Sequence, residues 1–352
     1  MTTVPLTATP LNLADYETLA RGLMEPATWD YFAGGSGDEL TLQANSEAFR
    51  RLRLRPRVMA DEDQVGTATT VLGTPIELPV LVAPTAYHGL VHRDAECATA
   101  AGAGDAGTIM VVSLNSNRTL EEVAAAATRP VWFQLYLTPD RAADEEMVRR
   151  AEDAGFAALV LTVDRPVYGA REKDVRNGFR LPDHLRAGNF GGTRDLRAKS
   201  WSSWAALDWL VQATRLPVLV KGVLTGEDAL LAVQQGAAAV IVSNHGGRQL
   251  DGALGGIEAL PGVVASVDGR CEVYCDGGVR RGVDVLKALA LGARAVLVGR
   301  PAIWGLAVNG AAGVTAVLEL LRGELERDLT LCGRCRVADI DRSFVTSIPE
   351  VP

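Results

Sequence analysis

Lysine is almost missing from this 352-residue chain: four of its 35 basic residues are lysines, so each one is informative by rarity. Histidine is as sparse, with four. Five cysteines, an odd number in a long chain, argue against a disulfide framework and fit a reducing cytoplasm. Cys332-Gly333-Arg334-Cys335 forms a CxxC, but no second pair or flanking histidine accompanies it. Free thiols and no metal are therefore expected. The N-terminus, MTTVPLTATPLNLADY, lacks the basic start and apolar core of a secretion signal. No apolar run reaches the roughly 18 residues of a membrane span. Charge of one sign is nowhere concentrated. The net charge of −8 is spread along the chain, which speaks against a nucleic-acid footprint or a polybasic membrane anchor. No GxGxxG follows an early strand, so a nicotinamide-binding Rossmann domain is not expected.

What remains is an ordinary globular profile, 48% apolar and 22% charged, with 36 glycines. The first fifty residues carry apolar positions at helical spacing over 13–22, 26–33 and 38–52. TTVLGTPIEL (69–78) has a turn signal between two short β-like runs and predicts a hairpin flooring the main domain.

From residue 80 an apolar run, a loop and an amphipathic helix alternate eight times. The runs are VLVAP (80–84), TIMVVS (108–113), VWFQLY (131–136), ALVLTV (158–163), PVLVK (217–221), AVIVS (239–243), EVYCD (272–276) and AVLVG (295–299). Helical stretches between them end at Gly107, Gly155, Gly236 and Gly292. Strands buried on both faces and alternating with helices imply a parallel sheet. Eight units predict an α/β fold, a (β/α)8 TIM barrel over about 80–310, with N-terminal helices over 12–52 and C-terminal helices, in a single domain 1–352. In the long interval 164–216, Trp201, Trp204 and Trp209 share one helical face, and core packing is their expected role.

The active site of such a barrel lies at the C-terminal ends of its strands. Here those ends read Pro84-Thr85-Ala86, Ser113, Gln134 with Tyr136, Thr162 with Asp164, Lys221, Ser243 with His245, Asp276, and Gly299-Arg300. One polar residue after an apolar run is noise; eight in register describe a ring around one mouth. In VSNHGGRQLDG (242–252) a rare histidine follows a strand, with glycines that let a ligand approach; a polar loop closing the strand is the plain alternative. DGGVRRG (276–282) and VGRP (298–301) suit phosphate: glycine exposes backbone N–H groups at helix starts, and Arg280 and Arg300 add charge. Lys221 would stand in the mouth, where an ammonium needs a negative partner, either structural or a ligand.

These residues carry a resemblance. With WDYFAGGSGDE, APTAYHGLVH, WFQLY, LTVDRP, GAREKDVRNGF, LVKGV, SNHGGRQLDG, DGGVRRGVDVLKALALGA and VGRP in order, the chain from about 12 to 345 resembles the FMN-dependent 2-hydroxy-acid oxidases and dehydrogenases. That family includes glycolate, lactate, and mandelate or hydroxymandelate oxidases. The resemblance implies an FMN enzyme that oxidises an L- or (S)-2-hydroxy acid to the 2-oxo acid. It implies His245 as base, supported by Asp164. Arg171 and Arg248 would clamp the substrate carboxylate, with Tyr31 and Tyr136 on its carboxylate and hydroxyl. Pro84, Thr85 and Ala86 would lie along the flavin; Ser113, Gln134 and Thr162 would bond its ring edge. Lys221 would stabilise the reduced ring, Ser243 would help hold the cofactor, and Asp276 would meet its ribityl chain. Gly278, Arg280, Gly299 and Arg300 would bind its phosphate. Oxygen or a soluble acceptor would take the electrons, and a homo-oligomer, a tetramer or larger, is implied.

Two features depart from the family. The stretch after Phe179 is short, which suggests a reduced lid over 180–204 and no membrane-binding insert. Asn115 and Tyr168 stand where the family shapes its pocket, leaving room for lactate-like acids or 4-hydroxymandelate and mandelate. The rivals are another FMN barrel enzyme, such as an isopentenyl diphosphate isomerase, or a non-catalytic flavin-binding protein. His88, His92 and His184 are expected to be structural or solvated.

Overall fold

Three amphipathic helices lead into the fold: α1 (Leu13–Leu23), α2 (Pro26–Ala33) and α3 (Leu40–Arg51). The Asn12 side-chain oxygen caps α1 by accepting from the N–H groups of Ala14 and Asp15. Proline opens α2, where its missing N–H costs nothing. The computed structural model describes residues 9–59, 65–190, 200 and 203–347.

Strand β1 (Leu52–Leu54) leaves α3, and a hairpin follows, β2 (Thr69–Val71) and β3 (Thr74–Ile76). Leu72 and Gly73 turn it with positive φ at both positions, the geometry that matches strand twist. Eight parallel strands then close a barrel: β4 (Val80–Val82), β5 (Val111–Ser113), β6 (Trp132–Leu135), β7 (Ala158–Thr162), β8 (Val218–Val223), β9 (Ala239–Val242), β10 (Glu272–Asp276) and β11 (Ala295–Val298). The sheet runs from β4 through β11 down to β5, and a Val82–Met110 bridge joins its two ends. Seven of the eight strands lie within the apolar runs marked in the sequence, and β8 continues two residues past its run, to Val223.

Alternation along these strands builds two cores. Leu81, Val111, Trp132, Val160, Leu219, Ile241, Tyr274 and Leu297 fill the interior, and Val71 and Ile76 of the hairpin plug its floor. The intervening residues, among them Val82, Phe133, Leu161, Val220 and Val240, face the helices. Those helices are α4 (Ala95–Asp105), α5 (Leu120–Ala126), α6 (Arg141–Asp153), α7 (Glu172–Arg176), α8 (Trp204–Ala213), α9 (Gly226–Gln234), α10 (Gly256–Val267) and α11 (Gly282–Ala290). α12 (Arg300–Leu331) completes the shell, and β12 (Val345–Ser347) returns to pair antiparallel with β1.

Two expectations change. Trp204 is 39% exposed, and α8 turns Ala206, Leu207 and Leu210 inward instead. Trp209 does pack against the core, half-buried with the Arg141 guanidinium 3.6 Å from its ring centroid, while Trp201 lies outside the described residues. α12 is long and apolar enough to cross a membrane by length and composition, although no uninterrupted apolar run announced it. Its backbone breaks at Asn309 and Gly310, and it packs on α1, α4 and α11 as a core helix. Of the expected lid over 180–204, residues 191–199, 201 and 202 lie outside the described residues.

Candidate active site

The loop after β9 takes three left-handed residues in succession: His245 at φ 60°, Gly246 at 66° and Gly247 at 72°. Glycine adopts this freely; histidine does so only when its surroundings hold it there. The hold is visible. The His245 N–H donates to Ser243 Oγ (3.0 Å), the Gly247 N–H donates to Asn244 Oδ1 (3.0 Å), and Asn244 exchanges two buried amide bonds with Asn45 of α3. The turn thus aims the imidazole over the barrel mouth.

His245 Nδ1 lies 2.7 Å from Oδ1 of Asp164, which stands just beyond β7. Gly222 makes room for that carboxylate: a Cβ there would come within 2.5 Å of the Asp164 Cβ. Burial pulls the imidazole below the ordinary histidine value. Asp164 pushes it back up, and the cations Lys221 and Arg171 push it down again. The net direction is down. The side chain keeps 20% exposure on the cavity side, which moderates the burial effect. Asp164 is opposed by burial too, yet His245 and Lys221 hold its carboxyl below the usual range.

Lys221, at the mouth end of β8, is 4% exposed, and its ammonium contacts Asp276 Oδ2 (2.9 Å) and Ser243 Oγ (2.8 Å). Burial disfavours this charge, but Asp276 and Asp164 outweigh it and raise its pKa. The negative partner a buried lysine requires is supplied by the chain itself.

Guanidinium groups crowd the other side. Arg171 Nη1 donates to the Tyr168 hydroxyl (2.7 Å). Arg248 Nη1 donates to the carbonyls of Tyr31, Phe32 and Gly34 at the C-terminal end of α2. Arg300 uses Nε, Nη1 and Nη2 on the carbonyls of Phe32 (2.9 Å), Gly246 (3.0 Å) and Gly34 (2.9 Å), tying α2 to the His245 loop. Arg280 stacks 4.9 Å from the Trp304 ring centroid. Burial lowers the pKa of Arg248 to about 10, and Arg171 adds to the effect, yet the group stays charged at neutral pH. Burial pushes the Tyr31 phenol up to about 12, so it is a hydrogen-bond donor at any working pH.

All these groups meet in one cavity. Every residue expected on substrate or cofactor lines it except two, Asp164 and Ser243, which stand one layer behind and hold His245 and Lys221. Asn115 and Tyr168 line it as well. Among the described residues its wall carries six basic side chains (Arg165, Arg171, Lys221, Arg248, Arg280 and Arg300) against one carboxylate, Asp276. Such a wall favours a multiply anionic occupant. None of the other three histidines lines it: His88 is buried with Nδ1 2.8 Å from Thr99 Oγ1, His92 is half-buried beside Asp94, and His184 is exposed.

The family model described as FMN-dependent dehydrogenase matches residues 20–347. The chain belongs to that family. An L-lactate oxidase of Nostoc sp. (strain PCC 7120) is 46% identical over 96% of this chain and 98% of its own. Glycolate oxidase 1 of Zea mays is 47% identical over 95% of each chain. A crystal structure of mandelate oxidase superposes with a TM-score of 0.92 at 46% identity, covering 97% of this chain and 99% of that one.

The residues of this FMN-dependent dehydrogenase fit its cofactor. Gln134 Nε2, Thr162 Oγ1, Asn115 Oδ1 and Asp276 Oδ1 are buried polar atoms on the cavity wall with no hydrogen-bond partner among the described residues. Buried groups of this kind call for a polar ligand. Gly277 and Gly278, both at positive φ, bring backbone onto the same wall, with Arg280 beside them. Glycine is required at Gly278, where a Cβ would fall 2.0 Å from the Asn45 carbonyl oxygen.

Sequence reading passed over one wall residue of consequence, Arg165, whose guanidinium lies 4.7 Å from the Tyr136 ring centroid. Its signal was its place directly after Asp164 at a strand end.

Proposed function

We propose that this flavoenzyme oxidises an L- or (S)-2-hydroxy acid to the 2-oxo acid and passes the electrons to oxygen or a soluble acceptor. The observation that carries the reading is the convergence of the His245–Asp164 pair with Arg171 and Arg248 on one cavity. Bound FMN supplies the two-electron acceptor for the substrate's α-carbon. The chain supplies everything else. Arg171 and Arg248 hold the carboxylate, with the phenols of Tyr31 and Tyr136 turned to the same ligand. His245 Nε2 takes a proton from the substrate, because Asp164 on Nδ1 fixes that nitrogen as the donor. Asp164 also stabilises the imidazolium that results.

Gln134 and Thr162, with Ser113 and the Pro84–Ala86 segment, would meet the flavin ring. Lys221 would place positive charge beside it and Asp276 would meet the ribityl chain, while Ser243 acts through Lys221. Gly278, Arg280 and Gly299 would hold the phosphate, and Arg300 would offer it the two N–H groups its carbonyl contacts leave over. The same reading takes the protein as a single-domain, cytoplasmic homo-oligomer, a tetramer or larger. No isopentenyl diphosphate isomerase step or non-catalytic role requires this carboxylate clamp.

The relatives named for lactate, glycolate and mandelate define the substrate panel. Both enantiomers of lactate, mandelate and 4-hydroxymandelate, with glycolate, are mixed anaerobically with the holoenzyme and the visible flavin band is followed. Bleaching by the (S)-acids supports the reading, and no bleaching by any of them would refute it. One peroxide formed per acid consumed in air assigns the electrons to oxygen; no peroxide assigns them to a soluble acceptor.

A pH profile tests the base. Only neutral His245 accepts a proton, so kcat/KM should rise with pH through an acid limb lying below the ordinary histidine value, since burial depresses the group. Asp164 raises that pKa, so Asp164→Asn should move the limb to still lower pH. The plateau should fall as well, by up to about 10⁴-fold, the cost of an Asp→Asn change that leaves a working histidine in the wrong tautomer. A limb that moves up in the variant contradicts the assignment.

A further inference from the structure

Tyr31 is buried on the cavity wall, and the side chains packed around its ring set the direction of its phenol. Three aromatic rings surround it. Phe32 meets it edge-on at 5.0 Å and Tyr87 is tilted at 6.5 Å, whereas Phe179 lies stacked, with centroids 4.4 Å apart and planes within 12°. The Arg248 guanidinium lies 5.1 Å from the same ring centroid. Tyr31 lines the cavity; Phe179, half-buried, does not.

Phe179 is itself anchored. Its N–H donates to the Asp174 carbonyl (2.8 Å), which ties it to α7. α7 in turn is tied to the N-terminal segment at two more points: the Asn177 amide donates to Asp30, and Lys173 pairs with Glu39 at 2.8 Å. Arg171 stands immediately before α7 and Phe179 just beyond its end. One short helix therefore has Arg171 at its start and, just past its finish, the ring stacked on Tyr31.

We propose that Phe179 is a positioning residue for this reaction: stacked on Tyr31, it holds the phenol hydroxyl at the substrate carboxylate beside Arg248. The proposal rests on the reading of Tyr31 as a substrate contact. If the ring acts through that hydroxyl, its removal matters only while the hydroxyl is present. An effect on cavity shape or folding would not depend on it.

A double-mutant cycle separates the two. Tyr31→Phe, Phe179→Leu and the double variant are compared by kcat/KM for flavin reduction, with the ratio of bound FMN to protein as a folding control. Phe179→Leu should lower kcat/KM by about threefold to tenfold in the otherwise native enzyme, the range open to an aromatic pair. The same change should cost less than about twofold in the Tyr31→Phe background, by the coupling logic of contacting residues. Phe179→Tyr, which keeps the stack, should restore activity, and Phe179→Met, close to leucine in bulk, should behave like leucine. Equal losses in both backgrounds would overturn the proposal while leaving Tyr31 a substrate contact. A Tyr31→Phe variant with native kcat/KM would overturn the Tyr31 reading itself and the proposal with it.

Discussion

His245→Gln slows anaerobic flavin reduction by about 10²–10⁴-fold or more while FMN stays bound, the loss expected when a general base is removed. Glutamine retains a polar group for Asp164, so the buried carboxylate is not stranded, but it cannot accept and keep a proton. Cofactor retention follows from the layout. The polar atoms and glycines that fit the flavin belong to strands β5, β6, β7 and β10 and the loops after them, and His245 supports none of them directly. Stopped-flow reduction at near-native speed in the variant would remove His245 from the base role.

Arg248→Lys should lower kcat/KM by about 10²–10³-fold, within the range for breaking a buried, hydrogen-bonded charge pair. The charge is conserved, so the loss tests geometry. Arg248 spends Nη1 on the carbonyls of Tyr31, Phe32 and Gly34, leaving the remaining edge of its planar fork for a carboxylate. A lysine has one nitrogen and cannot satisfy both sides. The fall should include kcat, since a misaligned acid also presents its α-hydrogen badly. A variant whose KM alone rises, with kcat intact, would show that Arg248 binds without positioning.

The barrel was legible because each strand is buried on both faces and so reads as an unbroken apolar run, and because a polar residue ends every run in the same register. His245 and Arg248 stood out through local composition, as did the glycine loops. Other features had no local signature. The five residues of α7 are too few to show a helical period, so the element that carries Arg171 and Phe179 together went unread. α12 was obscured by Asn309 and Gly310, which break its pattern where its backbone kinks. Charge spacing suggested a phosphate role for Arg300, but only coordinates reveal three carbonyls from distant segments around its guanidinium. The resemblance likewise implies Asp164 as a support for His245; the burial that outweighs its effect on the imidazole is a property of the fold.

A crystal structure of the holoenzyme with a bound 2-oxo acid is the most direct measurement. The account requires the product carboxylate between the guanidiniums of Arg171 and Arg248, with the oxo oxygen within hydrogen-bond reach of His245 Nε2. A product bound in the same cavity with its carboxylate away from both arginines, or with His245 turned from it, would contradict the account.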